Sequence, residues 1–590
     1  MAVSSLTKRR GGETGVSPYL LPAAMGVLFA LLGVGWVAAA VGAALADRSA
    51  PPSNPFTLPF ALARGSYRWP GPAGWLVLSL ELLALAVVGG LAARAVRRRR
   101  RTRLPIDAAA RHMGKGRDLG KISEAGARAT ATRLGVDGDR PPGVFIGYTV
   151  IGRRPVYGSP EDTHVDIWGT RTGKTTRKAI PAIMRHGAAP CLVTSNKRDV
   201  VDATRLGRGK LGNVWVFDLQ GLIGEQPTTW WWNPLTAVTD VVSAARMAEH
   251  FAADSRKSGA QTDAYFEPSG QELLANFLLA AALDNRPITQ VYEWTSNPRE
   301  AEPARILAAK GPEFALAASS VQGMLNAPEK QRGGVYGTAR LMASVLRSPA
   351  VTQWVTPTTG LGKRREFSPE DFVRSTDTLY LVSREGAGSA GALVTALTVA
   401  VCEAAEAYAA RSARGRLPRE LLAVLDEAAN VCRWSDLPDR YSHYGSRGIE
   451  LMTILQSWPQ GVEVWGERGM AKLFSSANIR TYGGGVLDEQ FLGMLKSAIG
   501  PYELRTVSTT VQPSHGSGGG LFGSNRSRSY GERDDEIVNV ADLVAMPPGR
   551  ALLIASGTRP TLVETVPWWD TDFADLVQES LNTYDPGART

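Results

Sequence analysis

Asp166-Ile167-Trp168-Gly169-Thr170-Arg171-Thr172-Gly173-Lys174-Thr175-Thr176 decides how this chain is read. The stretch opens as the apolar end of a buried strand, passes through a glycine-containing turn into Lys-Thr-Thr, and continues into helix-forming sequence. Such a turn points backbone N–H groups and a lysine at phosphates and offers a threonine hydroxyl to Mg²⁺. The usual spacing places a glycine five residues before the glycine of the Gly-Lys pair. Trp168 stands there, and Gly169 follows one residue late. Either the loop is shorter, or Trp168 takes the glycine's place with its side chain turned away.

A second stretch completes the chemistry. Leu421-Leu422-Ala423-Val424-Leu425-Asp426-Glu427 is a mostly apolar strand ending in two carboxylates, the other half of a nucleotide-hydrolysing site. Gly169, Thr170, Arg171, Thr172, Gly173, Lys174, Thr175 and Thr176 form the phosphate loop. Lys174 is expected to bind the β- and γ-phosphate oxygens of ATP. Thr175 is expected to ligate Mg²⁺. The amides of Thr172 and Gly173, at a helix start, add dipole stabilisation. Asp426 is expected to hold the metal through water, and Glu427 to polarise the attacking water. Gln456 ends the next apolar strand, Glu450-Leu451-Met452-Thr453-Ile454-Leu455-Gln456-Ser457, where a neutral amide can sense the γ-phosphate. Arg447, in Tyr444-Gly445-Ser446-Arg447-Gly448, is placed to reach a neighbouring subunit's nucleotide as an arginine finger. The plainer alternatives are a chance Gly-Lys-Thr turn, a helix N-terminal acidic pair, a strand-end glutamine and a solvated loop arginine.

Around these motifs, short apolar runs bounded by turn residues alternate with helical sequence. Pro190-Cys191-Leu192-Val193-Thr194-Ser195 and Val214-Trp215-Val216-Phe217-Asp218 have the pattern of buried parallel strands in an α/β sheet. Residues 237–375 are dominated by helical periodicity, an all-helical insertion. The sheet resumes at Thr378-Leu379-Tyr380-Leu381-Val382-Ser383, and residues 390–413 form a long helix before the acidic strand. Further strands are expected at Asn478-Ile479-Arg480-Thr481-Tyr482 and Arg550-Ala551-Leu552-Leu553-Ile554-Ala555. Residues 106–135 read as a polar helical stalk. Residues 514–533, rich in Gly, Ser and Arg, read as a mobile loop or disordered insert.

At 590 residues and a net charge of +10, the chain exceeds one ordinary domain. Its three cysteines lie far apart, which excludes a disulfide framework or cysteine-built metal site and fits a reducing compartment. Residues 19–46 are almost wholly apolar and longer than the ~20 residues that cross a bilayer. Residues 74–93 are a second such run, interrupted only by Glu81. Lys8-Arg9-Arg10 precede the first run and the arginines 97–101 follow the second, while the loop 47–72 carries only Arg48, Arg64 and Arg68. The positive-inside rule then places both termini in the cytoplasm, as a multi-pass protein of the cell (inner) membrane. Glu81 is costly within a span and is read as a helix-packing or partner contact.

The order of these features resembles the conjugative coupling proteins of type IV secretion systems. The resemblance rests on the two N-terminal spans, the loop 169–175 and Thr194-Ser195-Asn196-Lys197-Arg198-Asp199. It adds Trp232-Asn233-Pro234-Leu235, Asp426-Glu427, Arg447 with Gln456, and Pro547-Pro548-Gly549-Arg550-Ala551-Leu552-Leu553. It implies a RecA-like P-loop ATPase core with an all-helical insertion, preceded by two transmembrane helices. The expected divisions are a membrane domain over 1–103, the nucleotide-binding domain over 104–236 and 376–590, and the insertion over 237–375. It also implies a homo-hexameric ring fuelled by ATP and Mg²⁺. The ring would recruit a relaxase, or another secretion substrate, bound to DNA and pass it to type IV secretion channel components. DNA contact should be sequence-nonspecific, through phosphates. Competing expectations are a septal chromosome translocase, a protein-secretion ATPase and a membrane scaffold that binds nucleotide without hydrolysing it.

Overall fold

A computed structural model describes residues 20–101, 104–136, 138, 140–224, 228–256, 263–357, 363–384, 390–513 and 524–589. Lys8-Arg9-Arg10 and residues 514–523 lie outside the described residues, as do the side chains of the arginine run 97–101. The chain divides into two compact units, 1–104 and 105–590.

In the first unit, helices Leu20–Leu45 and Pro72–Arg101 pack on each other. Their backbones come close at Gly42, where a Cβ would lie 2.5 Å from Gly74 Cα. Small residues at a helix crossing permit that approach. The stretch Pro72–Gly90 has a mean hydropathy of 1.9 and is only 6% buried, so Leu76, Leu80, Leu83 and Val88 stand exposed. Glu81 is half-buried, and its Oε2 has no hydrogen-bond partner among the described residues.

The second unit is built on an eleven-stranded sheet. In chain order its strands are β1 (Val144–Thr149), β2 (Pro155–Gly158), β3 (His164–Ile167), β4 (Cys191–Ser195), β5 (Val214–Asp218) and β6 (Thr378–Val382). They continue with β7 (Leu421–Leu425), β8 (Ile449–Leu455), β9 (Ile479–Tyr482), β10 (Arg550–Ala555) and β11 (Thr561–Glu564). Across the sheet they run β2-β1-β11-β10-β9-β3-β8-β7-β4-β6-β5. From β9 to β5 every neighbouring pair is parallel. From β9 to β2 every pair is antiparallel. The parallel part follows the apolar runs: β6, β7 and β8 are buried at every residue, as strands covered on both faces must be. The sheet is therefore mixed: the two runs read as buried parallel strands, β4 and β5, lie in its parallel part. Short turns impose the antiparallel part: β10 returns as β11 through residues 556–560, where Gly557 takes a φ of +78°, and a tight turn can join only antiparallel strands.

Among the described residues, seven α-helices run from Val241–Ser255 to Pro349–Val355 between β5 and β6, and the short helix Pro369–Phe372 follows them. Leu274, Phe277, Leu278, Trp294 and Tyr336 fill their core. Both ends of this insertion are pinned to the sheet: Trp232 N donates to Trp354 O at 2.8 Å, and Trp230 packs against Phe217, Trp354 and Phe367. Helix Gly391–Arg411 has a mean hydropathy of 1.4, but it is 72% buried as a core helix and packs on Val241–Ser255.

Two expectations are corrected. Residues 106–135 do not form a free polar stalk. They fold into short helical turns and the helix Glu124–Leu134, burying Ile106, Met113, Leu119, Ile122 and Ala131. Asp107 pairs with Arg550 at 2.7 Å, and Gly114 N donates to Pro560 O at 2.9 Å. Widely spaced apolar residues hid this packing face. Nor is the 514–533 stretch wholly a mobile insert: Ser524–Glu536 pairs in register with Pro501–Pro513 as a long antiparallel hairpin. The polar strand takes its order from ladder hydrogen bonds to a Thr/Val-rich partner, which composition alone does not reveal.

Candidate active site

The site is built where β3, β7 and β8 end side by side. After Ile167 the chain stays tied to both neighbouring strands: Trp168 N donates to Leu455 O and Gly169 N to Gly484 O, each at 2.9 Å. Thr170 and Arg171 form the exposed crest, with Arg171 in left-handed backbone at φ +60°. Thr172 is buried, and its hydroxyl donates to Gly169 O at 2.8 Å across the loop. Gly173 follows at φ +95°, and the helical turn starts at Lys174. That turn is wide: Ile180 N donates to Thr175 O, five residues back, just before Pro181. Proline brings no N–H to the helix, so the preceding turn opens to a π-type geometry. Thr175 and Thr176 are half-buried, with Thr176 Oγ1 donating to Gly173 O at 3.3 Å.

The two readings of the altered spacing are both partly met. The Trp168 ring is turned away from the loop, buried against Gly483, where a Cβ would lie 2.1 Å from the indole. Gly169 meets the close backbone approach that demands glycine: its Cβ would lie 2.1 Å from Gly485 O. Gly484 and Gly485 adopt φ of +85° and +74°. Gly483-Gly484-Gly485, directly after β9, thus walls the phosphate loop, and sequence reading passed over this triplet. Three consecutive glycines after an apolar run were the available signal.

Asp426 and Glu427 follow β7 and are both buried. Glu427 sits in left-handed backbone (φ +55°), an uncommon conformation for a residue with a side chain. Its carboxylate pairs with Lys174 Nζ and accepts both of its hydrogen bonds from Gln456 Nε2, at 2.6 Å each. Asp426 Oδ1 lies 3.8 Å from Lys174 Nζ and accepts no hydrogen bond among the described residues. Burial pushes the Asp426 carboxyl up to about 6, with Lys174 pulling the other way. Gln460, also overlooked, accepts from Gln456 N at 3.1 Å and steadies that amide. Lys174, Asp426, Glu427 and Gln456 are therefore brought together. A buried carboxylate with an unsatisfied oxygen, beside a lysine that a threonine follows in the chain at a helix start, suits a magnesium-bound triphosphate, because Mg²⁺ takes few protein ligands and keeps waters and phosphate oxygens.

Arg447 is not part of this group. It ends the helix Leu437–Arg447, half-buried, with Nη1 3.5 Å from Gly415 O. It precedes β8, whereas Gln456 follows it, so the two lie at opposite ends of a strand roughly 20 Å long. Among the other motifs, Thr194 Oγ1 donates to Asp426 O at 3.3 Å, linking the end of β4 to the acidic turn. Asn233 caps the short turn Pro234–Ala237.

Residues 420–548 match the protein family described as the TraM recognition site of TraD and TraG. No curated protein matches the chain in sequence. Among solved structures the chain is similar to the bacterial conjugative coupling protein TrwBdeltaN70 in its unbound monoclinic form. The identity is 16%, the match covers 75% of this chain and 91% of that one, and the TM-score is 0.51. The trigonal form in complex with sulphate gives 16%, 75%, 92% and 0.51. The plasmid coupling protein TrwB in complex with ADP and Mg²⁺ matches at 17% identity over 69% of this chain and 86% of that one, with a TM-score of 0.47. At such identities the likeness to TrwBdeltaN70 is one of fold: a large mixed sheet with helices.

Proposed function

We propose that this chain, whose residues 420–548 match the TraM recognition site of TraD and TraG, is an ATP-driven coupling protein of the TraG/TraD family with a RecA-like core. It recruits relaxase-bound DNA and delivers it to a type IV secretion channel at the inner membrane. The observation that carries the reading is the convergence of Lys174, Asp426, Glu427 and Gln456 at the ends of adjacent parallel strands. Ligands of open α/β sheets bind at such strand ends.

Bound Mg·ATP supplies the phosphoryl group and the charge that draws the site together. Lys174, now paired with Glu427, exchanges that carboxylate for phosphate oxygens, and the amides of Thr172 and Gly173 orient the triphosphate at the helix start. Thr175 and Asp426 would hold the magnesium ion, which would supply charge stabilisation for the triphosphate. Glu427, released from the lysine, takes a proton from the attacking water, and Gln456 keeps its carboxylate aimed. Arg447, remote from its own chain's loop, acts in a hexamer on a neighbour's nucleotide. The exposed apolar face of Pro72–Gly90 and the companion helix Leu20–Leu45 support a membrane anchor, and the arginine run 97–101 that follows it favours the ATPase unit in the cytoplasm.

The test is ATP turnover by the full-length protein in detergent, with and without DNA. Wild type is expected to hydrolyse ATP faster with DNA, Lys174→Ala to lose nucleotide binding, and Glu427→Gln to bind but turn over about 10²–10⁴-fold more slowly. Wild type no faster than either variant would leave a nucleotide-binding scaffold as the better reading. Arg447→Ala should lose turnover only in assembled rings; equal loss in a proven monomer would remove the finger role.

A further inference from the structure

Beneath the phosphate loop runs a line of four buried polar side chains that the hydrolytic roles do not use. Asp166 and Trp168, two apart on a strand, share one face of β3, while Val165 and Ile167 point to the other and join the main core. Thr481 of β9 stands directly beside Asp166 in the parallel register. The indole Nε1–H of Trp168 donates to Thr481 Oγ1 at 2.8 Å, and that hydroxyl donates to Asp166 Oδ1 at 2.5 Å. Lys178 Nζ closes the line 3.1 Å from the same carboxylate oxygen. Exposures are 1% for Trp168, 3% for Thr481, 0% for Asp166 and 2% for Lys178.

The two ends of this line are the two ends of the loop. Trp168 is the last residue before Gly169, and Lys178 lies about one helical turn beyond Lys174. Between them, Arg171 and Gly173 both hold positive φ, so the loop has two turns to keep in addition to the Thr172–Gly169 bond across it. A single hydroxyl proton makes the line directional: Thr481 accepts from the indole and donates to the carboxylate. The ammonium and carboxylate are both buried away from bulk solvent, so each fixes the other in place.

We propose that Trp168, Thr481, Asp166 and Lys178 form a clamp that sets the phosphate loop's shape from below, making them positioning residues for a nucleoside triphosphate held by Lys174 and the loop amides. The clamp rests on the reading of this loop as a nucleotide site. It gives a positive role to the tryptophan that stands where a glycine is usual: the ring anchors the start of the loop, while Gly169 makes the close approach.

The experiment titrates full-length protein in detergent with a fluorescent ATP analogue and measures KM and kcat for ATP. Thr481→Val removes the hydroxyl at nearly constant volume and is expected to weaken binding and raise KM about tenfold, with kcat at saturation within about twofold. Thr481→Ser is expected to restore binding to within about twofold. Trp168→Phe, which keeps a ring and drops the N–H, should show the same loss. The double variant should bind no worse than either single one, because both break one chain of bonds. Thr453→Val is the control for burial alone: that hydroxyl is equally buried and bonded to Tyr441 Oη at 3.0 Å, away from the loop. Its binding should stay within about twofold of wild type. Wild-type binding in Thr481→Val, equal loss in Thr453→Val, or losses that multiply in the double variant would each overturn the clamp. If wild type itself binds no analogue, the nucleotide-site reading fails and the clamp with it; a wild type that binds keeps that reading whatever the variants do.

Discussion

The two halves of the sheet are made of similar apolar strands, yet the candidate site gathers at the strand ends of only one of them. In the parallel half, β3, β4, β7 and β8 all end on one edge; the turns after β3, β7 and β8 bring Lys174, Asp426, Glu427 and Gln456 together, and Thr194 near the end of β4 bonds to Asp426 O. In the antiparallel half, β2, β1, β11 and β10 alternate in direction, so their turns are shared between two edges. Its contribution to the site comes from the border strand β9, which lends Gly483-Gly484-Gly485 and Thr481. Strand direction thus decides where functional side chains collect, more than strand composition does.

Glycine substitutions in the two halves test that contrast most directly. Gly169→Ala places a Cβ 2.1 Å from Gly485 O at the loop's base; nucleotide affinity measured by titration should fall more than about tenfold, since overpacking against backbone costs about 1–3 kcal/mol and here displaces the loop. An intermediate effect concerns Asp426. Burial raises its pKa to about 6, so the folded state holds this proton more tightly than the unfolded chain. Stability from this group is therefore full at low pH and is lost as pH rises from about 4 through about 6. Asp426→Asn should raise the melting temperature at pH 7.5, by an amount on the order of 2 kcal/mol in stability, and abolish hydrolysis; the gain should vanish near pH 4. A melting temperature that is unchanged or lowered at pH 7.5 would contradict the assignment. The smallest effect belongs to the antiparallel half. Gly557→Ala adds a methyl in open space at φ +78° and should cost about 1 kcal/mol in denaturant unfolding through backbone strain alone. ATP turnover should not change; a turnover loss there would erase the distinction between the halves.

Much of the parallel half was legible because buried strands announce themselves as apolar runs and because Lys-Thr and Asp-Glu sit at their ends. The rest was hidden for identifiable reasons. Thr561–Glu564 is four residues long and follows Arg559-Pro560, so nothing local marks it as a strand. The packing of residues 106–135 depends on partners such as Arg550 and Pro560, hundreds of positions away. The bond between Thr481 and Asp166 joins residues 315 apart, and neither type suggests the other. Arg447 and Gln456 are near in sequence, but a strand between them carries them to opposite edges of the sheet.

Helix Gly391–Arg411 carries a consequence for how the chain is made. By length and hydropathy it passes as a membrane-crossing segment although it is 72% buried, so if the N-terminal helices insert as proposed, the chain carries a further stretch of the kind that insertion selects. Its cover, the helix Val241–Ser255, is encoded earlier and leaves the ribosome first. Synthesis order thus makes the covering helix available before the apolar stretch emerges.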